Sequence, residues 1–372
     1  MNPRYLLLHR ALRNAGDFLI FERARRLIAA VHPDAELIVA KAWLGLAGQV
    51  SDDVLRSCRA IVVCGGPGYG DGMAQRYPLG DVADGPPLVL LALGSFVVPG
   101  TDAQLASERF DGGTLEFLQR VRGRVPYLGA RDAVTADLLR QNGLDGVLMT
   151  GDPAWYDLDA IDAPLHIPTA VAALALTPPA NPAFFGQAID LFEAIAARHR
   201  PARVTIVHHR GVQRPFARLA AGRGWSNRDI TGSADGFSVY DDHDVHVGYR
   251  VHAHLYATSR GRPSYLVAED SRGVGVHRSL GALGAVGFGQ DADGRLARIA
   301  FHRLPRLANA YRPVLNRLGL PISRLLRMPG VSDELVARVD DDLARGFPGH
   351  VQAREVIRAT LPTMRRMIEA LP

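Results

Sequence analysis

Pro87-Leu88-Val89-Leu90-Leu91-Ala92-Leu93 runs without a polar side chain. A strand with one wet face alternates apolar and polar residues. A run without alternation marks a strand covered on both faces, as in a parallel sheet flanked by helices. The flanking sequence agrees. Upstream, Tyr5–His9, Glu36–Ala40 and Ala60–Cys64 are short apolar runs expected as strands. After the first of them, Ile20, Phe21, Ala24, Leu27, Ile28 and Val31 recur at helical spacing. Downstream, Thr114–Arg122 and Asp132–Gln141 predict helices, the second stopped by Asn142-Gly143. Val147–Thr150 predicts another strand. Alternating strands and helices predict an α/β fold built on a doubly wound parallel sheet.

The alternation lapses over Trp155–Pro168, where Asp, Ala and the prolines Pro164 and Pro168 dominate. It then restarts. Ala170–Leu176, Val204–His208, Asp244–Gly248 and Ser264–Ala268 predict strands, and Ala183–Arg198, Arg214–Ala221 and Val251–Ser259 predict helices. A chain of 372 residues is long enough for two domains. We expect two similar α/β domains, residues 1–160 and 161–302, with a cleft between them. Residues 303–372 form an arginine-rich C-terminal extension, expected as helices with breaks at Pro348 and Pro362.

Apolar residues make up 47% and charged residues 22%, ordinary values for a chain with real cores. The formal charge is only +5, and no nucleic-acid motif is present, which argues against DNA or RNA as a partner. Lys41 is the sole lysine, so the basic side is arginine. Cys58 and Cys64 match neither C-x-x-C nor a zinc spacing and suit a reducing compartment. The apolar run Tyr5-Leu6-Leu7-Leu8 is too short for a signal peptide, and Leu88–Val98 is too short to cross a bilayer. These features predict a soluble cytoplasmic protein. Arg303, Arg306, Arg312, Arg317, Arg324 and Arg327 occur with no acid before Asp333. That stretch reads either as a solvated linker face or as a contact with the anionic inner face of a membrane.

The densest chemistry lies in Gly248-Tyr249-Arg250-Val251-His252-Ala253-His254, preceded by Asp241, Asp242, His243, Asp244 and His246. Arg250 is permanently charged, and a histidine holds or gives a proton near neutral pH. Three readings stand open: an anion and proton-transfer site, a surface loop, or a metal site using His243, His246, His252 and His254. No H-E-x-x-H or cysteine-rich spacing supports the third.

Four other segments fall at predicted strand ends, where ligands bind in open α/β sheets. Arg10–Asp17 precedes the first helix, and Asp17 either caps that helix or acts on a substrate hydroxyl. Cys64-Gly65-Gly66-Pro67-Gly68-Tyr69-Gly70 follows a strand but is neither a P-loop nor a dinucleotide fingerprint. It lets backbone approach a ligand, or it is a flexible turn. Gly129-Ala130-Arg131-Asp132 offers Asp132 as a helix cap and Arg131 toward the cleft. Thr150-Gly151-Asp152-Pro153-Ala154 follows the next strand and also reads as a turn.

In this order and spacing, Asn14-x-Gly16-Asp17, Gly65-Gly66, Arg131-Asp132, Gly151-Asp152-Pro153-Ala154, Arg250-Val251-His252-Ala253 and Glu269-Asp270-Ser271-Arg272 resemble the polysaccharide pyruvyl transferase family. The resemblance covers about residues 9 to 285 and leaves the arginine-rich tail outside. It implies two Rossmann-like domains in a GT-B-like arrangement. It also implies transfer of the pyruvyl group of phosphoenolpyruvate onto two sugar hydroxyls as a ketal, with release of phosphate and no metal or other cofactor. By motif match, His252 and Asp17 would be catalytic. Arg131, Arg250, Arg272, Asn14, Gly65 and Gly66 would bind substrate. Members often carry lysine where this chain has Arg272. Charge is kept there but geometry is not. A glycosyltransferase using a nucleotide sugar is the alternative enzyme, with Glu269 or Asp270 on the ribose. A non-catalytic sugar- or phosphate-binding protein is the alternative of another class.

Overall fold

The structure is a computed structural model and describes residues 2–73, 85–289 and 328–372. Its first sheet holds β1 (Arg4–His9), β2 (Glu36–Lys41), β3 (Ala60–Cys64) and β5 (Leu88–Leu91), in the order β2-β1-β3-β5, all parallel. Between β3 and β5 in the chain lies β4 (Pro67–Tyr69), which pairs with β6 (Gly94–Ser95) beyond the main sheet. A bridge from Leu93 to Ala130 carries the sheet on to β7 (Leu128–Ala130) and β8 (Val147–Met149). Leu88 to Leu91 are each at most 2% exposed, as a strand covered on both faces requires. The strand ends earlier than the apolar run, because Ala92 turns into the left-handed region at φ 54°.

The second sheet has six parallel strands: β9 (Ala173–Thr177), β10 (Arg203–His208), β11 (Ser226–Asp229), β12 (Val245–Gly248), β13 (Ser264–Ala268) and β14 (Gly284–Val286). Their order is β11-β10-β9-β12-β13-β14. Numbered along the chain, this is 3-2-1-4-5-6, the doubly wound order whose reversal lies between the first and fourth strands. The edge strand β11, Ser226-Asn227-Arg228-Asp229, is exposed throughout. It has no apolar residue, so hydrophobic patterning cannot find it. Two buried clusters form: one contains Leu6, Val62, Leu90 and Leu139 and extends to Ala175, Val207 and Leu266 of the second sheet, and the other contains Leu176, Phe192, Ile206 and Val267.

The segment between the sheets carries no strand from Met149 to Ala173. It is nonetheless packed: Trp155 and Tyr156 are fully buried. At the C-terminus, the helix Val331–Arg345 inserts Leu335 and Val339 into the second cluster. The helix Pro348–Glu369 returns to the first, placing Met364, Met367 and Ile368 there. Pro348 begins this helix as expected. Pro362 does not break it; the helix runs through, giving up one backbone hydrogen bond while Leu361 and Met364 stay buried on the core side. The buried Arg354 donates to the carbonyls of Thr258, Ser259, Ala160 and Ile161, tying the helix to both halves. The basic stretch Arg303–Arg327 lies outside the described residues. No described helix is long and apolar enough to cross a membrane.

Candidate active site

The strand orders say where a ligand should sit, at the carboxyl ends beside each reversal. In the second sheet, Thr177 ends β9 and Gly248 ends β12, and Tyr249 and Arg250 come next. The Arg250 amide donates to Thr177 Oγ1 at 3.4 Å, and the helix Val251–Ser259 starts there. In the first sheet the reversal lies between β1 and β3, so the loop ending at Asn14 and the Gly65 turn are its counterparts. The two ends meet. The Ala15 amide, opening the helix Ala15–Val31, donates to the His209 carbonyl at 2.9 Å.

A small solvent-open cleft lies at this meeting point, lined by Asn14, His209, Arg250, His252, Glu269 and Arg272 among others. Burial works against the Arg250 charge while Glu269 supports it. The Arg250 Nε is buried without a partner among the described residues. Arg272 engages both oxygens of Asp270 at 2.9 and 2.5 Å and stacks 4.9 Å from the centre of the Phe96 ring. Asn14 occupies the N-cap position of its helix, yet its side chain makes no cap bond. Asp17 is therefore not the cap. It lies inside the first turn, where the helix dipole favours an acid, and its charge reaches across to support that of Arg272.

Arg131, Asp17, Gly65 and Gly66 are not part of the cleft lining. Arg131 is 3% exposed, donates to Asp132 at 3.1 Å and leaves Nη1 without a partner among the described residues. Gly94 makes room for it: a Cβ there would stand 2.1 Å from the Arg131 Nε. Asp132 caps the helix Ala133–Gln141 through the Thr135 amide at 2.7 Å. Gly65 and Gly66 have φ of 69° and 84° and form the turn that ends β3. A Cβ on Gly65 would meet Ile20, so its side faces packing rather than the cleft.

His252 stands at the seam of the two halves. Its Nδ1 lies against Gly16, where a Cβ would come within 2.2 Å. Its Nε2 is 3.7 Å from Asp152 Oδ2. The other histidines of the stretch are engaged elsewhere. His254 Nδ1 bonds Ser264 Oγ at 2.8 Å. His246 bonds Thr177 and Ser264, and His243 bonds Val239 and Thr205. Burial pushes His246 down to about 3, so it is neutral. Among the described residues no group of three or more His, Cys, Asp or Glu is placed to hold a metal ion. Asp241 pairs with Arg260, and Asp244 accepts the Ala172 and Ala173 amides.

Sequence reasoning does not single out His209, which is 1% exposed and lies in the cleft with Nε2 2.6 Å from the Tyr240 hydroxyl. Its place one residue past β10 was the available signal. Glu269 is explained differently than its sequence position suggests. Its two oxygens accept the Ala180 and Asn181 amides at 3.0 and 2.9 Å, and burial raises its carboxyl. Asp270 caps the helix Ser271–Leu280 and holds Arg272. Both acids proposed for a ribose are thus already engaged.

Three solved structures align with most of this chain. The wall teichoic acid polymerase TagF is 12% identical with a TM-score of 0.40, covering 92% of this chain and 90% of that one. MnaA of S. aureus, solved with UDP, is 12% identical with a TM-score of 0.43, covering 92% and 97%. TarM of S. aureus is 11% identical with a TM-score of 0.45, covering 87% of this chain and 57% of that one. No curated protein matches the sequence. Residues 14–271, well over half of the chain and including Asn14, His209, Arg250, His252 and Glu269 of the cleft, match the model of one family. The chain belongs to the polysaccharide pyruvyl transferase family.

Proposed function

We propose that this protein moves the pyruvyl group of phosphoenolpyruvate onto two hydroxyls of a sugar, forming a cyclic ketal and releasing phosphate. The observation that carries this reading is the meeting in one cleft of the Arg250 guanidinium, whose Nε is buried with no partner among the described residues, with the His252 imidazole. A phosphate and a carboxylate suit arginine forks. Arg250 and Arg272 meet the donor from the second half, and Asn14 meets it from the first. His252 gives a proton to the methylene carbon as the first hydroxyl oxygen bonds to the central carbon. The C–O bond to phosphate then breaks, with the electron pair leaving on the phosphate. The second hydroxyl closes the ring. Of the two hydroxyl protons, one restores His252 and the other departs with the phosphate. Arg131 does not line the cleft, and the reading gives it a share in holding the donor through Nη1, which has no partner among the described residues.

The division into units 1–160 and 161–302 in a GT-B-like arrangement belongs to the same proposal, as does a cytoplasmic location. Incubation with phosphoenolpyruvate and a panel of glycosides should release phosphate and yield a product with a new pyruvyl methyl signal by NMR. Phosphate release with no acceptor-dependent product, or turnover of nucleotide sugars instead, rejects it. The arginine-rich stretch Arg303–Arg327 is proposed to hold the enzyme at an anionic surface. Attraction of about 1 kcal/mol per arginine suffices for reversible attachment. Sedimentation with anionic liposomes should decline with salt, and a protein that stays in the supernatant at low salt overturns this part alone.

A further inference from the structure

Asp152 is the residue that the geometry adds to the machinery. It ends the loop after β8, in the first half of the chain, and is 1% exposed. One of its oxygens, Oδ1, accepts the Ala154 amide at 2.9 Å and so caps the short turn Pro153–Trp155. That bond fixes the carboxylate in place. The other oxygen, Oδ2, is buried and has no hydrogen-bond partner among the described residues. Buried polar atoms without partners are uncommon and call for an explanation. Here the facing atom is His252 Nε2, which is also buried and also lacks a hydrogen-bond partner among the described residues. The two orphans stand 3.7 Å apart, about 1 Å longer than a hydrogen bond. Catalytic hydrogen bonds in empty sites are often long and tighten when substrate binds. On the far side of the ring, Gly16 leaves no space for a side chain, so the imidazole is held between Gly16 and Asp152.

We propose that Asp152 is the positioning residue of His252: on closure of the cleft it accepts a hydrogen bond from Nε2–H, fixing the ring and leaving Nδ1 to exchange the proton. The proposal rests on the reading of His252 as the proton donor. It explains a division of labour in the loop, since one carboxylate oxygen builds the turn and the other serves the ring. It also makes the dyad a joint product of both halves, because β8 and the helix Val251–Ser259 belong to different sheets. The charge of Asp152 would stabilise the imidazolium that precedes proton transfer. His252 and its helix start, Arg250, are joined around this point by Arg131 and Tyr156 beside Asp152 and by His209 across the cleft.

Asp152→Asn tests this while keeping an oxygen for the Ala154 amide. The expected result is a melting temperature close to wild type, kcat reduced by about a hundredfold or more, and an almost unchanged KM for phosphoenolpyruvate. The basic limb of the kcat–pH profile should move to lower pH by about one unit or more, because the neighbouring negative charge is gone. Adding Asp152→Asn to His252→Gln should cost little further activity, since the first acts through the second. A kcat within threefold of wild type, or an unmoved pH profile, overturns the proposal. A measurement on the wild-type protein covers the case in which the variant does not fold. The ¹⁵N shifts of the His252 ring in histidine-labelled enzyme with phosphoenolpyruvate bound should show Nε2 protonated and Nδ1 unprotonated in the neutral form. The opposite tautomer overturns the dyad. If wild-type enzyme releases no phosphate with any acceptor, the donor assignment fails instead. The same shifts recorded without donor then decide the dyad by themselves.

Discussion

The loops that follow β1 and β8 meet the His252 ring mostly with shape: Gly16 lies under it, and Asp152 is bound into its own turn beside it. The loops that follow β12 and β13 meet the cleft with charge: Arg250, His252 and Arg272 line it directly. Both halves use parallel sheets, and the loops that follow β1 and β12 each lie beside a reversal of strand order. The difference therefore lies in side chains rather than in architecture. A fold supplies a place, and the residues at that place supply the chemistry. It follows that changes in the second half should act on donor binding and turnover directly, and changes in the first half through the position of His252.

The largest effect is expected on the charged side. Arg250→Ala should weaken phosphoenolpyruvate binding by about 2–5 kcal/mol, measured by calorimetry, since it removes a partly buried cation from its anion. Unchanged donor affinity would break the assignment of charge to this half. Next, His252→Gln should lower turnover by about a hundredfold and leave donor affinity nearly intact. His254→Ala should instead lower stability, because that ring is buried on Ser264. If His254→Ala is the inactive variant with wild-type stability, the two roles are reversed.

Gly16→Ala sharpens the other side of the comparison. The added methyl would lie 2.2 Å from His252 Nδ1, so the ring has to move. Misplacing a catalytic group by about 1 Å costs about a hundredfold, and turnover should fall by tenfold or more of that order with donor affinity kept. Full activity in Gly16→Ala would mean that the first half does not set the ring. The smallest effect concerns pH and stability. His246 is buried between Thr177 and Ser264 and pushed down to about 3. The unfolded chain takes up its proton near the ordinary value of about 6.5. Its contribution is complete above that value and is lost as pH falls toward 3. Each pH unit in that window costs about 1.4 kcal/mol for this one histidine. Urea denaturation at a series of pH values should show that slope, and His246→Asn should reduce it.

Much of this was legible in the residues. The helix Val251–Ser259 and the strands Ala60–Cys64 and Ser264–Ala268 fall where hydrophobic pattern puts them. Pattern reports burial, so it fails where burial is absent: β11 is entirely polar and exposed. It fails again where a proline is tolerated, as at Pro362, because the surrounding core outweighs one missing hydrogen bond. The motif glycines show another limit. The sequence offers no reason for glycine at 16 or 94, and the structure does: the side chains of His252 and Arg131 occupy the space a Cβ would need.

By itself the sequence determined the α/β class, the family and the residues that carry charge, because each of these is written in local spacing and in residue type. Tertiary structure alone decided which of those charges share a cleft, that His209 joins them, and that Asp152 faces His252 across the seam. The physical reason is distance along the chain. Asp152 and Gly16 are far from His252 in sequence and touch it only because two separate sheets bring their strand ends together. No local pattern records a contact of that kind.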